Sequence, residues 1–321
     1  MSELMRPYGF QNRKLYLLNI RLMLQITEQF KDKVVEALLN DRANYEGSAA
    51  QFSKRWGISD SVFSRLKKGE REKLLKDSQW LNIGRGLDVT LDERKWNVAR
   101  TDVFNLIEES IEFCKNYSKA MIFVDEAEIG KSFAGRYLSR TLRNCFYVDA
   151  SQCKTRTEFV CTLAKTIGID SYGRHADVKA NIKYYLRMIE RPIVIIDEPG
   201  DLEYAAFLEI KEFWNATENI CGWFLMGADG VRKKIDDGMK NRKVGYREIF
   251  SRFSGKYLSI VPNDRQDRLS FYKQLITDVL SVNVQDKSVL PQIVKKCLIS
   301  DQDGNLGGLR RAESLLIMEG M

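Results

Sequence analysis

Histidine is nearly absent: the 321 residues include one, His175. The six cysteines, at 114, 145, 153, 161, 221 and 297, form no Cys-x-x-Cys pair. Together these two shortages argue against a zinc centre and leave reduced thiols as the expectation. His175 lies in a polar stretch and is expected at the surface. Long apolar runs are missing as well. No segment reaches the roughly eighteen apolar residues that a membrane-crossing helix needs. The N-terminus lacks the basic-then-apolar layout of a secretion signal, so the expectation is a cytoplasmic protein. The length allows two domains and a substantial core.

Charge is present in quantity but unevenly. Residues 1–95 hold 18 Lys/Arg against 13 Asp/Glu, whereas 96–321 hold 33 against 31. The basic excess at the N-terminal end points to a polyanionic partner there.

The most informative stretch is 119–132. Met121-Ile122-Phe123-Val124 is a short apolar run of strand formers, followed by a charged loop that closes on Gly130-Lys131-Ser132. Phe133-Ala134-Gly135-Arg136-Tyr137-Leu138 then continues with helical spacing. Strand, loop, Gly-Lys-Ser and helix is the layout of a phosphate-binding loop, in which backbone N–H groups and a helix N-terminus cradle phosphate oxygens. Lys131 is the candidate for the β/γ-phosphates of ATP and the Ser132 hydroxyl for Mg2+. The nucleotide-binding loop on this reading is Asp125, Glu126, Ala127, Glu128, Ile129, Gly130, Lys131, Ser132 and Phe133. The usual pattern opens with a glycine where this chain has Asp125, and with Glu126 and Glu128 the loop carries three acids that oppose a polyphosphate.

A second signal lies at Arg191-Pro192-Ile193-Val194-Ile195-Ile196-Asp197-Glu198. The continuous apolar run reads as a strand buried on both faces of a parallel sheet. Asp197 at its end is placed to hold the metal, and Glu198 to polarise an attacking water.

Residues 14–40 read as a helix with Leu15, Leu18, Leu22, Ile26, Phe30, Val34 and Leu38 on one face. After the loop 40–47, Ser48 is a candidate N-cap for a helix over 49–56. Gly57 ends it, Ile58 turns inward, and Ser59 caps the next helix, Asp60 to Lys68. Ala50, the glycine turn, and Val62 with Leu66 together suggest a helix-turn-helix of the repressor-like kind. Its second helix would present Asp60, Ser61, Ser64, Arg65 and Lys68 to duplex DNA, with Lys67 and Arg71 nearby for phosphates. A closing helix follows over 80–87, and residues 88–102 read as a linker.

Beyond the linker, Thr101 is a cap for a helix carrying Val103, Phe104, Ile107, Ile111 and Phe113. Strands are expected at 144–149, 222–227 and 257–261, and helices at 157–167, 178–189, 202–214 and from 264 onward. Alternation of this kind means an α/β three-layer sandwich. The expected divisions are 1–95 for the helical domain, 96–262 for the nucleotide-binding domain and 263–321 for a helical lid.

The order of these features resembles the AAA+ ATPases. The matching residues are Gly130-Lys131-Ser132, Asp197-Glu198, Ser251-Arg252-Phe253 and Gly308-Leu309-Arg310-Arg311. The resemblance implies that Arg252 is an arginine finger completing a neighbouring copy's site. It also implies that Arg311, with Arg310 as the rival, senses the γ-phosphate. No polar sensor residue follows the fourth strand; Gly227-Ala228-Asp229 stands there. An N-terminal helix-turn-helix joined to a compact AAA+ module is similar to the transposition target-selection ATPases typified by the phage Mu B protein. That likeness implies a homo-oligomer, filament or ring, that assembles on double-stranded DNA with ATP and Mg2+ and delivers the target to a transposase. Two alternatives stay open: a replicative helicase loader-like ATPase, and a helix-turn-helix regulator whose nucleotide site has degenerated.

Overall fold

The computed structural model describes residues 26–43, 45, 47–87, 89–91, 96–284, 286–299 and 306–318. The chain divides into two compact units, one of Met1–Ala43 with Gly47–Arg94 and one of Asn44–Glu46 with Lys95–Met321.

In the first unit, α1 spans Glu28–Ala43, α2 Ala49–Arg55, α3 Asp60–Lys67 and α4 Asp77–Gly86. The helix expected over 14–40 starts later. The Thr27 hydroxyl accepts from the Phe30 N–H and caps it, and residues 14–25 of that expectation lie outside the described residues. Ser48 caps α2 in a reciprocal box with Gln51, and Ser59 caps α3 through the Val62 N–H. Gly57 sits at φ +65 between them, a conformation that favours glycine. The phase of the pair differs from expectation. Ala50 is exposed in the first turn of α2, and the buried small residue is Ser53, four before Gly57. In α3 the core positions are Phe63 and Leu66, with Val62 half-buried. The Phe52 and Phe63 rings meet 5.2 Å apart and set that phase. Gly84 lets α4 close on α1: a Cβ there would fall 2.5 Å from the Phe30 ring.

The second unit is built on five parallel strands in the order β2-β3-β4-β1-β5. They are β1 (Ala120–Val124), β2 (Cys145–Asp149), β3 (Ile193–Asp197), β4 (Gly222–Gly227) and β5 (Tyr257–Leu258). Helices connect them: α5 (Asp102–Tyr117), α6 (Lys131–Thr141), α7 (Arg156–Ile167), α8 (His175–Met188), α9 (Tyr204–Ala216), α10 (Asp229–Lys240) and α11 (Tyr246–Arg252). After β5 come α12 (Arg265–Asn283), α13 (Leu290–Cys297) and α14 (Leu309–Met318).

Side chains alternate across each strand, so the central strands feed two cores at once. Ile122, Val124, Val194, Ile196, Trp223 and Leu225 pack on one face, with Phe159, Phe207 and Phe213 from α7 and α9. Phe123, Ile193, Ile195, Phe224 and Met226 pack on the other, with Phe104, Ile107 and Ile111 from α5 and Leu138 from α6. Two cores around one sheet make the expected three-layer α/β arrangement, and the parallel order fits a P-loop NTPase fold. A third, smaller core joins α12, α13 and α14 through Ile276, Leu280, Ile293 and Leu316.

Two details depart from the sequence reading. Phe113 is 43% exposed and Cys114 takes the buried place on α5, one step further round the helix. The last strand stops at Leu258 because the next available N–H groups, of Ile260 and Val261, are taken by the carboxylate of Asp125. Among the described residues no helix is long and apolar enough to cross a membrane.

Where α5 crosses β4 the backbones touch: a Cβ on Gly222 would fall 2.5 Å from the carbonyl oxygen of Cys114. Neither backbone can give way cheaply. Gly222→Ala is therefore expected to destabilise the protein by about 1–3 kcal/mol, read as a lower denaturation midpoint in urea.

Candidate nucleotide site

A parallel sheet places the C-terminal ends of all its strands at one edge, which is where α/β folds bind ligands. Here the ends of β1, β3 and β4 lie side by side, since Val124 is in register with Gly227 and Asp197 with Met226. The loop 125–130 leaves β1 at that edge and enters α6. Gly130, at φ +98, makes the last turn into the helix, and its backbone conformation disfavours any side chain there.

Lys131, the first residue of α6, is only 6% exposed. Its Nζ donates to the carbonyl oxygen of Asp125 at 2.9 Å and to that of Glu126. Burial lowers its pKa, opposed by the charges of Glu198, Asp125, Asp197 and Asp229. A cation folded back onto its own loop among four carboxylates has a clear use: polyphosphate oxygens can replace the two carbonyls as acceptors.

Asp197 closes β3 and is 2% exposed. Its Oδ2 accepts from the Tyr147 hydroxyl at 2.6 Å, while Oδ1 is buried with no hydrogen-bond partner. Burial raises its pKa; the Ser132 and Tyr147 hydroxyls pull it down, Asp149 pushes it up, and Lys131 again lowers it. A buried, unpaired carboxylate oxygen beside a serine hydroxyl is costly unless a cation sits against it. These donors are oxygens, as Mg2+ requires, so Ser132 and Asp197 fit that ion.

Glu198 follows in the left-handed region, at φ 50. Its N–H donates to the Met226 carbonyl at 2.8 Å, and its Oε2 accepts weakly from the Ala228 N–H at 3.5 Å. Burial first and Asp197 second raise its pKa, toward the range of a group that accepts a proton near neutrality. Gly227 makes room for it: a Cβ there would fall 3.0 Å from Glu198 Oε2 and 2.4 Å from Val231 Cγ2. A side chain at the end of β4 is thus excluded by the position of Glu198, and the backbone N–H of Ala228 stands where a polar sensor was sought.

The three loop acids are not aimed at a bare phosphate cradle. Asp125 accepts from its neighbour Glu126 N–H at 2.8 Å through Oδ1, and from Ile260 N–H (2.5 Å) and Val261 N–H (3.0 Å) through Oδ2. Glu126 Oε2 accepts from Arg268 Nη2 at 2.9 Å and the Tyr272 hydroxyl at 2.6 Å, both on α12. Glu128, at φ 63, offers its carbonyl to the Leu309 N–H at 2.9 Å and Oε2 to the Gly308 N–H at 3.3 Å. Ile129 is buried, Ala127 is exposed, and Phe133 is 39% exposed with its ring stacked on Tyr137.

The arginines separate. Arg310 brings Nη1 to 4.0 Å from Glu128 Oε1 with its side chain largely exposed. Arg311 turns away and donates to the Ile299 carbonyl. Arg252 lies at the end of α11, donating from Nε to Asn215 Oδ1 at 2.8 Å, with its guanidinium 5.2 Å from the Trp214 ring centre. Service in a neighbouring copy's site requires it to leave both. In the first unit Ser61, Ser64, Arg65, Lys67 and Lys68 are all exposed on or just after α3. Arg65 pairs with Glu70 at 2.7 Å. His175 is half-buried rather than at the surface, with Nε2 lacking a partner.

The residues that the sequence did not single out are Tyr147, Arg268 and Tyr272. Tyr147 had a signal available: it lies two before Asp149, on a strand ending in a carboxylate as β3 does. Arg268 and Tyr272 had none.

Residues 115–235 match the family model of the AAA domain. The match runs from α5 into α10 and contains the loop, both carboxylates and the end of β4, so it supports a nucleotide-binding ATPase module at this site. No curated protein matches the chain.

Replacing Asp125 by glycine rebuilds the common loop pattern but strips three N–H groups of their acceptor. Each buried donor left unmade costs about 1–3 kcal/mol. Asp125→Gly is expected to lower thermal stability without tightening nucleotide binding, measured by a melt and by titration with a fluorescent ATP analogue.

Proposed function

We propose that this chain is an ATP-dependent DNA-binding ATPase that assembles on duplex DNA and delivers it to a transposase. The observation that carries the ATPase part is the buried, unpaired Oδ1 of Asp197 beside Ser132 and Lys131. Bound Mg2+ supplies charge neutralisation at the β- and γ-phosphates. Lys131 exchanges its carbonyl partners for phosphate oxygens, the N–H groups at the start of α6 face the same anion, and Glu198 orients the attacking water and takes its proton. Arg310 is the better placed of the two lid arginines to meet the γ-phosphate, because it already stands against Glu128 of the loop. On this reading Arg252 acts between copies, once released from Asn215 and Trp214.

DNA contact is supported by the exposed row Ser61, Ser64, Arg65, Lys67 and Lys68, which rests on the capped pair α2 and α3 as a helix-turn-helix presents its second helix. Delivery to a transposase rests on the combination of that unit with an AAA module. The degenerate-site alternative drew its support from Asp125, Glu126 and Glu128, and all three have partners other than phosphate. The helicase-loader alternative has no helicase-binding feature to support it.

Electron microscopy with duplex DNA tests the whole reading. Filaments or rings that form only with ATP are expected; assembly indifferent to ATP, together with a single preferred DNA site, would favour the regulator. Lys131→Ala is expected to fold and to lose ATP-dependent loading. Glu198→Gln keeps shape and should bind ATP, with turnover lower by roughly 10²–10⁴ in a phosphate-release assay. Unchanged turnover would remove Glu198 from the chemistry.

A further inference from the structure

The charge of the second unit is concentrated in one segment. Residues 231–256 hold nine Lys/Arg against three Asp/Glu, which leaves the remainder of 96–321 with 24 against 28. This segment is α10, the loop after it, and α11. Together with the end of α9 it walls a cleft of about 1000 Å³.

The cations of this cleft lack counter-charges. Arg242, Lys243 and Arg247 are exposed, and no side-chain partner meets them among the described residues. Arg252 in the floor has only the neutral Asn215 and the Trp214 ring. The Glu248 carboxylate in the wall pairs with Lys211, and Glu218 is the other acid. The loop that carries Arg242 and Lys243 is nevertheless fixed in place. Arg242 is held at φ 53, its N–H bonded to the Met239 carbonyl at 3.1 Å. The Lys243 N–H donates to the Gly238 carbonyl at 2.9 Å, and the Tyr204 hydroxyl donates to the Val244 carbonyl at 2.8 Å. Three free cations on a rigid loop and helix start, around an open cleft, suit an extended anion with repeated charges.

We infer that this cleft binds the phosphodiester backbone of duplex DNA, giving the AAA unit its own nucleic-acid contact apart from α3. Duplex rather than single strand follows from Trp214: its face is occupied by Arg252, so it offers no platform for stacking a base. Sequence-independent contact follows from the lining, where long cations outnumber groups able to read base edges. An acidic protein surface fits less well, because protein interfaces are built on free aromatic anchors and are poor in lysine. The inference rests on the reading that the chain binds DNA, and extends it to a second surface.

Fluorescence anisotropy of the full chain on a labelled duplex of arbitrary sequence, over a range of salt, tests it. The variant R242A/K243A/R247A is expected to bind at least tenfold more weakly, with the slope of log K against log salt shallower by about 2–3, close to one per lost phosphate contact. R242K/R247K keeps the charge and should retain the parent slope. Circular dichroism and ATP binding at Lys131 check that the fold persists. A parallel variant, R65A/K67A/K68A, tests the N-terminal contact. Loss of binding in that variant alone, with the cleft variant unchanged, would overturn the inference and leave the DNA reading standing. Loss of self-association instead of DNA affinity in the cleft variant would assign the cleft to a second copy and overturn it equally. A parent chain that binds no duplex at any salt removes both readings.

Discussion

Lys131 is the one cation at the centre of the nucleotide site, and the site depends on how it is held. It is buried at the start of α6, among Asp125, Asp197, Glu198 and Asp229. Without it the four carboxylates would repel one another in a low dielectric, at a cost that grows as water leaves. With it, the loop backbone is drawn inward, since its amine donates to the carbonyls of Asp125 and Glu126. The same geometry keeps the amine available. Carbonyl oxygens are neutral acceptors, weaker partners for an ammonium than an anionic oxygen is, so a polyphosphate can displace them.

The acids of the loop perform a task that the glycine of the common pattern cannot. Asp125 joins the loop to the chain just beyond β5, and so to the segment that leads into α12. Glu126 reaches α12 itself, and Glu128 reaches the start of α14. Three successive links tie a loop that must respond to phosphate to helices that lie over the site. Any rearrangement of the loop backbone then shifts the acceptors of Arg268, Tyr272, Gly308 and Leu309. The negative charge that looked like an obstacle is balanced in part by Arg268 and Arg310.

How far the sequence discloses this follows from the range of each interaction. Strands β1, β3 and β4 were legible because strands buried on both faces are continuous apolar runs, and Gly222–Gly227 agrees with its expected bounds. The helix caps Ser48, Ser59, Thr101 and Asp264 were legible because capping is local. The role of Asp125 was not, since its partners lie at 260 and 261 in the chain and are backbone groups without a side-chain signature. The same distance hid Arg268 and Tyr272 behind Glu126. The choice between Arg310 and Arg311 was hidden for another reason. Neighbours on a helix point about 100° apart, and only the entry of α14 against Glu128 decides which of the two faces the loop.

Gly227 carries the argument one step further. A family resemblance leads one to seek a polar side chain after the fourth strand, and its absence reads as a defect. The space it would fill is already taken by the Glu198 carboxylate, 3.0 Å from where a Cβ would stand. Glu198 is in the left-handed region and its N–H is bound to Met226 across the strands, so its backbone cannot retreat. The carboxylate is therefore positioned by β4 main chain, through Ala228 N–H, rather than by a sensor side chain. A backbone donor has no rotamer freedom to lose, and it moves only if the strand moves. In this site the orientation of the base is coupled to the sheet itself, while the response to phosphate is left to the loop and the helices tied to it.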